Sequence, residues 1–285
     1  MINSITSPEF SPQFIIINLT MSWTGLKKAI NRASTQMLLK TGQMEKTVDK
    51  EYEFEEKRFK SMESTSLKLH KELKHYLDSL RIVTQSQANI GEALGSFYGT
   101  NDQEPANISQ EYSSTMKQLG SSIKDLESPY NQTVLNPIAR FNSYYIEVNE
   151  AIKKRLHKQL DYDSLKNKVR KLIEKPEDKD LRFDSEDKLN EYQEQLVEAQ
   201  KNFDDLNGQL KHDLPRLLNL RISFLGPSFE SFVKIQLRFF MENYEGLVGL
   251  QGKLDARSRE DFISGRVDKR LDEVLVKMRE LNITS

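Results

Sequence analysis

The spacing of apolar side chains changes along the chain, and the first regular stretch lies in residues 21–34. Four apolar side chains there recur at steps of three or four, which places them on one side of a helix. They are Trp23, Leu26, Ile30 and Ala33. Lys27, Lys28 and Arg32 lie on the flanks and the opposite side. Such a helix can cover a protein core, bind a partner or lie in a membrane surface, and its own pattern does not decide among the three.

A heptad repeat from about residue 45 to 98 predicts a long helix of the coiled-coil type. Two seams run along it, and all their positions except Ser66 and Gln87 are apolar. The first seam is Phe59, Ser66, Leu73, Leu80, Gln87 and Leu94, and the second is Met62, Leu69, Tyr76, Val83, Ile90 and Phe97. The polar stretch 99–105, which contains glycine and proline, predicts a turn after this helix.

Two further long helices are predicted, at about 110–173 and 185–250. Pro129 and Pro137 fall inside the first of them, where each removes a backbone hydrogen bond and is expected to bend the axis. The other helix has a narrow apolar seam up to Pro215 and is apolar on most sides beyond it. The glycines that follow are expected to end it. They stand at positions 246, 249 and 252.

The apolar half of this last long helix predicts a subunit interface, because a helix that is apolar nearly all round must be buried all round. A single hairpin of three helices cannot bury it. The candidates for the dimer core are Leu217, Leu218, Ile222, Phe224, Phe229, Phe232 and Ile235. A short helix with one apolar stripe is predicted in the tail, residues 256–285. We therefore predict an all-α fold: an elongated antiparallel three-helix coiled coil with kinked helices, paired into a dimer.

Composition agrees with this fold and narrows the function. Charged residues make up 30% of the 285 residues, which suits long helices exposed to solvent. The sequence contains no cysteine, its four histidines do not align as metal ligands, and it has no phosphate-binding or nucleophile motif. We expect a protein that is not an enzyme and needs no cofactor or metal.

No apolar run approaches the roughly 20 residues that a membrane-spanning helix requires. Residues 1–20 combine prolines, serines and asparagines without periodicity, so we predict a disordered leader. A secretion signal is absent from them, and we expect a cytoplasmic protein.

Charge is segregated although the net charge is only −1. Eight basic side chains against two acidic ones lie between residues 153 and 171. They are Lys153, Lys154, Arg155, Lys158, Lys166, Lys168, Arg170 and Lys171. Two interpretations stay open: the basic set pairs with the acidic stretch 184–205 on the neighbouring helix, or part of it faces anionic lipid. Nucleic acid is not an expected partner, because no groove-reading motif accompanies the charge.

The order of these elements and four local stretches resemble the N-BAR (Bin/amphiphysin/Rvs) domain. The stretches are MSWTGLKKAINRA before the first long helix, VLNPIARF and KKRLHKQLDYDS in the second, and LPRLLNLRISFLGPSFESFVKIQLRFF in the third. The tail GRVDKRLDEVLVKMRELNIT is similar to the end of the short fungal amphiphysin-like proteins of the reduced-viability-on-starvation class, which lack an SH3 domain.

The resemblance implies a crescent-shaped dimer, joined through a six-helix bundle, that binds and bends anionic membranes in endocytosis and cortical actin organisation. Residues 21–34 would be the amphipathic helix zero, disordered in water and helical on lipid, and residues 35–255 the BAR domain. Its membrane-inserting residues would be Trp23, Leu26, Lys27, Lys28, Ile30 and Arg32. The eight basic residues at 153–171 would face the membrane, joined at the arm tip by Lys175, Lys179 and Arg182, although acidic residues surround that tip.

The same resemblance implies that the protein lies at the plasma membrane and cortical actin patches, and that it pairs with itself or with a longer, SH3-bearing relative. A second hypothesis remains beside it: a scaffold that recruits a related chain and organises actin regulators without bending lipid. A third is a straight two-stranded rod, which the dense apolar run at 214–240 disfavours.

Overall fold

The structure is a computed structural model that describes residues 23–99, 104–174, 182–253 and 256–281. This part of the chain consists of helices and their connections, without a strand, so the prediction of an all-α fold is confirmed. The helices are α1 (Trp23–Lys40), α2 (Lys50–Tyr98), α3 (Glu104–Tyr130), α4 (Asn136–Ile173), α5 (Arg182–Lys253), α6 (Ala256–Ile263) and α7 (Val267–Arg279), with a π-helical turn at Asn131–Leu135. The leader predicted at residues 1–20 lies outside the described residues.

Local sequence explains how α1 ends and α2 begins. Gly42 adopts a positive φ of 71°, and the N–H groups of Gly42 and Gln43 donate to the last free carbonyls of α1. Glycine takes this backbone conformation with little steric strain, so the helix stops at the Thr41-Gly42 pair. Asp49 then caps α2, because its carboxylate accepts the N–H groups of Glu51 and Tyr52, both at 3.1 Å.

The second predicted helix is interrupted where the prolines stand. Pro129 lies in the last turn of α3, Pro137 is the second residue of α4, and the wider π-helical turn fills the space between them. Each proline lacks the N–H that an α-helix uses, so regular i to i−4 bonding cannot continue through this stretch. Regular α-helix is therefore interrupted between the two prolines, where the sequence predicts a bend.

The last long helix ends within a few residues of the predicted end at about 250, but not at the first of its glycines. α5 continues through Gly246, Gly249 and Gly252 to Lys253. At Gly246 the reason is packing, since an added Cβ would lie 3.1 Å from the Cγ2 atom of Thr115 on α3. The absent side chain allows the two helices to approach closely.

The chain forms two compact units. Among the described residues, the first unit combines those in 23–52 with those in 150–210, and the second combines those in 53–149 with those in 211–281. In the second unit, a core cluster buries Leu73, Leu77, Tyr130, Val134, Leu135 and Ile138. The hydroxyl of Tyr130, which has no exposed surface, donates to the carbonyl oxygen of Leu73 at 2.7 Å. Burial raises the pKa of this phenol far above its ordinary value, so it stays a neutral donor.

The two predicted seams of α2 have different environments in the second unit. Phe59, Ser66, Leu73 and Leu80 of the first seam are buried. Leu69, Val83, Ile90 and Phe97 of the second seam are exposed in the single chain. Within the single chain the first seam is therefore covered more completely than the second, in which Tyr76 packs against the core.

Candidate membrane-binding surface

Helix α1 exposes its apolar stripe. Trp23 has 81% of its surface accessible and Ile30 has 60%, and Leu26 and Met37 are exposed as well. Met37 continues the stripe by one further step of four, which lengthens it beyond the predicted residues 21–34. A row of exposed large apolar side chains on one helix is typical of a surface that another phase or molecule covers.

The polar side of α1 is attached to α4 in the first unit. The guanidinium of Arg32 donates to both carboxylate oxygens of Asp161, at 2.8 and 2.6 Å, and this bond raises the pKa of Arg32. Thr35 is buried on the same side, while Lys28 and Lys158 line a polar groove beneath the helix. The polar face of α1 thus makes specific contacts with α4.

This geometry divides the six predicted insertion residues of α1. Trp23, Leu26 and Ile30 lie on the exposed stripe and Lys27 is exposed beside it, whereas Lys28 is exposed on the attached side, where it lines the groove. Arg32 points to the protein instead, because it is half-buried against Asp161. Its membrane insertion stays a prediction, and Asp161 is the partner that the sequence did not reveal.

The basic residues of α4 do not share one face. Successive residues of a helix are rotated by about 100° around its axis, and on this basis five of the basic residues fall within an arc of about 140°. We call these five residues the lysine arc. These are Lys153, Lys154, Lys158, Lys168 and Lys171. Asp161, to which α1 is attached, falls within the same arc, so the exposed lysines of the arc and α1 lie on one side of α4. Lys166 and Arg170 are exposed on a different side.

Arg155 faces the interior, and its prediction as a membrane-facing residue is wrong. Only 5% of its surface is exposed. Its guanidinium donates to the side-chain oxygens of Asn207 at 2.9 Å and Gln159 at 2.7 Å. A buried cation held by hydrogen bonds cannot contact a lipid headgroup without unfolding its surroundings.

The polar cluster around Arg155 anchors the connection between α1 and α2. The amide of Asn207 donates to the capping residue Asp49 at 2.7 Å, and Gln159 donates to the carbonyl oxygen of Thr47 at 2.5 Å. The hydroxyl of Thr47 in turn donates to Asp163 at 2.6 Å. Burial raises the pKa of Asp163, whose surface is 1% exposed, and the bonds from Thr47 oppose that shift.

The arm-tip candidates lie at or beyond the edge of the described residues. Lys175 and Lys179 lie outside the described residues, and for Arg182 the structure gives a place at the start of α5 without a described side chain.

The seven candidates for the dimer core separate into buried and exposed positions of the second unit. Leu218 is wrong as an interface residue, because it is 3% exposed and lies within the protomer. Phe232 and Ile235 pack against the intramolecular core, and Leu217 is half-buried. Ile222, Phe224 and Phe229 are exposed. The exposed apolar surface of α5 also includes residues outside the predicted set, namely Leu220, Val233, Leu237, Phe240, Met241, Tyr244, Leu247 and Val248.

None of the described helices has an apolar stretch long enough to cross a bilayer. Within the same residues, no group of three or more histidine, aspartate or glutamate side chains is arranged to hold a metal ion.

Solved structures define the class to which this helical fold belongs. The chain is similar to the amphiphysin BAR domain from Drosophila, with a TM-score of 0.58 and 20% identity over 76% of this chain and 96% of that one. At this identity the likeness concerns the fold alone: the class is that of the BAR domains.

Sequence comparison supports the same class. The family model described as "BAR domain" matches residues 26–256, and the chain belongs to this family. It is 49% identical to "RVS161-like protein RVS162" and 41% identical to "Regulator of cytoskeleton and endocytosis RVS161", both from Candida albicans. Each alignment covers 93% of this chain and 99% of the relative. The predicted resemblance is confirmed, and membership makes the chain a membrane-associated scaffold in a family of structural scaffolds rather than enzymes.

Proposed function

We propose that this protein is a curvature scaffold, which binds anionic membranes as a dimer and shapes them during endocytosis and cortical actin organisation. The observation that carries the proposal is the orientation of α1. Its stripe of exposed apolar side chains, led by Trp23, points away from the protein to which the opposite face is attached. A helix in this position can bury its stripe among lipid headgroups and act as a wedge.

The lysine arc of α4 supports the choice of an anionic surface. Lys153, Lys154 and Lys171 are exposed on the side of α4 that also holds α1. A lysine near an anionic bilayer contributes about 1 kcal/mol to binding. The apolar stripe and the arc therefore act on the same membrane with two different forces, and the binding should weaken as salt is added.

The uncovered apolar surface of the second unit supports a dimer. Ile222 and Phe229 on α5 have 67% and 69% of their surfaces exposed, and Val83 and Ile90 on α2 are exposed as well. This much apolar surface is typical of an interface between subunits. A second copy of the chain, or a related chain, is the proposed occupant.

The cellular role rests on the relatives. One is named a regulator of cytoskeleton and endocytosis, and this chain covers 99% of its length. We extend that role to this protein, which would then act on the cytoplasmic face of the plasma membrane and at cortical actin patches.

Vesicle binding of the purified protein tests the proposal. Cosedimentation with vesicles rich in phosphatidylserine should capture the protein at low salt, and electron microscopy should show tubules. The emission of Trp23 should shift to shorter wavelength on binding, and it reports on α1 alone because the chain has one tryptophan. Absence of binding at low salt would overturn the proposal.

A matched pair of substitutions locates the insertion on the stripe. Trp23→Asp or Leu26→Asp should abolish tubulation and leave dimerisation intact, since both side chains lie on the exposed stripe. Gln36→Asp introduces the same charge at an exposed position away from the stripe, and tubulation should persist. Normal tubulation by the first two variants would mean that this helix does not insert.

A second function is favoured by the two relatives from one organism. Candida albicans has both relatives compared above, and two related chains in one cell can form a mixed dimer. In that function the protein pairs with a related chain to organise actin regulators and does not bend lipid itself. Robust tubulation by the purified homodimer would exclude it.

A further inference from the structure

Helix α2 ends on an exposed aromatic pair in the second unit. Phe97, the last residue of the second seam, has 81% of its surface accessible. The ring of Tyr98 lies edge-on to it, with 5.2 Å between the ring centroids. Val83 and Ile90, which precede Phe97 on the same seam at steps of seven, are exposed as well. A large apolar side chain that continues an exposed seam is typical of a surface that another molecule covers.

The same unit has a groove between α2 and α5 with a volume of about 360 Å³. Arg58 and Arg221 line it, and each is held by its own helix, Arg58 by Glu55 and Arg221 by the carbonyl oxygen of Leu218. Apolar side chains form the rest of its lining, namely Met62, Leu69, Phe141, Leu218 and Leu225. Such a groove suits an aromatic ring, because the ring buries apolar surface and its face attracts a guanidinium group.

The groove is continuous with the proposed subunit interface. Met62 and Leu69 belong to the seam that ends at Phe97, and Leu69 is exposed. On α5, the exposed residues Ile222 and Phe224 lie between the positions that line the groove. A second copy of the chain that covers this surface therefore also covers the groove.

Contacts within the unit relate positions on α2 to positions on α5. The rings of Tyr76 and Phe232 lie edge-on with 5.2 Å between their centroids, and Leu69 and Leu225 line one groove. In each pair the residue numbers differ by 156. The two helices therefore run in parallel, and a residue of α2 is level with the α5 residue whose number is 156 higher.

The exposed apolar surface of α5 indicates where a two-fold axis passes. In this unit it extends from Leu220 to Val248, so its midpoint lies at residue 234. In a dimer whose arms point in opposite directions, as in the crescent dimers of this class, a two-fold axis crosses the helices near that midpoint. Residues of α5 equally far before and after residue 234 then lie opposite each other in the two copies.

This symmetry brings the groove of one copy to the aromatic end of the other. Phe97 is level with Lys253 of its own chain, and Lys253 lies opposite Pro215 of the second copy. Pro215 is in turn level with Phe59 of that copy's α2, within the range 58–69 that lines the groove.

We propose that Phe97 of one copy inserts its ring into the groove of a second copy, beside Arg58 and Arg221. A two-fold interface is self-complementary, so the second copy returns the same contact. The proposal rests on the dimer of the proposed function and deepens it, because the contact fixes both the direction and the register in which the copies pair.

Engineered cysteines test the contact, since the chain has none of its own. Ser61→Cys with Phe97→Cys should form an intermolecular disulfide when copper phenanthroline is added as oxidant, and non-reducing electrophoresis should show a covalent dimer. Within one chain the two positions lie 36 residues apart on α2, about 54 Å at 1.5 Å per residue, so they cannot bridge each other. Thr65→Cys with Phe97→Cys provides a second pair across the same groove.

Two controls accompany the cysteine pairs. Tyr144→Cys with Phe97→Cys pairs Phe97 with an exposed position of α4 outside the groove, and it should remain uncrosslinked. Phe97→Cys alone distinguishes the two directions of pairing, because copies that run in the same direction bring both positions 97 together. Efficient crosslinking of either control would overturn the proposal.

The strength of association tests the ring itself. Phe97→Ala should weaken the dimer by about tenfold or more in sedimentation equilibrium, because a buried aromatic anchor is lost. Phe97→Tyr keeps the ring and should stay close to the wild type. Tyr144→Ala removes an exposed ring outside the groove and should leave association unchanged. Equal effects of Phe97→Ala and Tyr144→Ala, at unchanged helix content by circular dichroism, would contradict the contact.

The outcomes separate the contact from the proposed function. A wild-type protein that stays monomeric would refute the proposed dimer. A dimer in which neither cysteine pair crosslinks would refute the contact alone. A crosslinked dimer that does not bind phosphatidylserine vesicles at low salt would refute the membrane role and support the contact.

Discussion

The guanidinium of Arg155 lies over the ring of Tyr52, with 3.7 Å between its central carbon and the ring centroid. The ring of Phe203 lies at 4.9 Å from the same carbon, and the amide oxygens of Asn207 and Gln159 accept its hydrogen bonds. Aromatic faces and amide oxygens together replace the hydration of the cation. One arginine of the basic segment therefore joins α2, α4 and α5 within the first unit.

Replacement of Arg155 should destabilise the protein rather than weaken membrane binding directly. Arg155→Met is expected to lower the free energy of unfolding by about 3 kcal/mol, because buried amide groups lose their charged partner. Urea denaturation measures the change. Lys154→Met removes the neighbouring exposed charge and should alter stability by less than about 0.5 kcal/mol. Equal effects of the two substitutions would contradict the burial of Arg155.

Asp163 should make stability depend on pH. Burial raises the pKa of its folded-state carboxyl above the ordinary value of 3.8, so the folded protein binds this proton more tightly than the unfolded chain. Asp163 therefore contributes most to the free energy of unfolding below its ordinary pKa. This contribution is lost as the pH rises through the raised pKa of the folded state.

Asp163→Asn isolates this contribution, because an amide oxygen can still accept the hydroxyl of Thr47 but does not titrate. Relative to the wild type, the variant should gain stability as the pH rises from about 4 to 7. Urea midpoints of both proteins across that range provide the measurement. A stability of the variant relative to the wild type that stays constant with pH, or that falls as the pH rises, would contradict the raised pKa of Asp163.

The two sides of α4 should differ in membrane binding. Lys153→Gln with Lys154→Gln removes two charges from the lysine arc, and vesicle affinity at low salt should fall about 30-fold, at about 1 kcal/mol per lysine. Lys166→Gln with Arg170→Gln removes two charges from the other side, and affinity should change little. Cosedimentation over a range of lipid concentrations compares the pairs. Equal losses would mean that the arc does not define the membrane face.

The exposed and the buried apolar residues of α5 should have separate roles, in association of the subunits and in stability of the fold. Ile222→Asp or Phe229→Asp should produce a folded monomer, because a charge then lies in the proposed interface while the interior of the protomer is untouched. Sedimentation equilibrium and circular dichroism report association and helix content. Leu218→Ala should instead lower the free energy of unfolding by about 2–5 kcal/mol. An unaltered dimer in both charged variants would refute this interface.

Gly246 should be intolerant of a side chain. Gly246→Val is expected to destabilise the protein by about 1–3 kcal/mol, because the new atoms would press on Thr115 and Leu119 of α3. Gly208→Val introduces the same residue into the same helix where an added Cβ has nothing within 4 Å. That control should stay within about 0.5 kcal/mol of the wild type in thermal or urea unfolding. A neutral Gly246 variant would show that the helices can separate without loss.

The sequence by itself determined the helical class and most of the element boundaries. The heptads of α2 give the residues of its buried seam, Phe59, Leu73 and Leu80, since regular spacing on a helix fixes which side chains share a face. Gly42 and Pro129 mark a helix end and a disturbance for reasons that lie in their own backbones. The glycines of α5 were misread, because Gly246 serves contact with another helix rather than a turn.

The tertiary structure decided which face of each helix is covered, because periodicity defines faces but does not say what lies against them. The eight basic residues of α4 look alike in the sequence, yet only the neighbouring Tyr52, Phe203 and Asn207 make Arg155 an interior residue. The bond from Arg32 to Asp161 likewise joins positions 129 residues apart, and no local pattern encodes such a pair. Folding brings them together, and their bond turns the stripe of Trp23 outward.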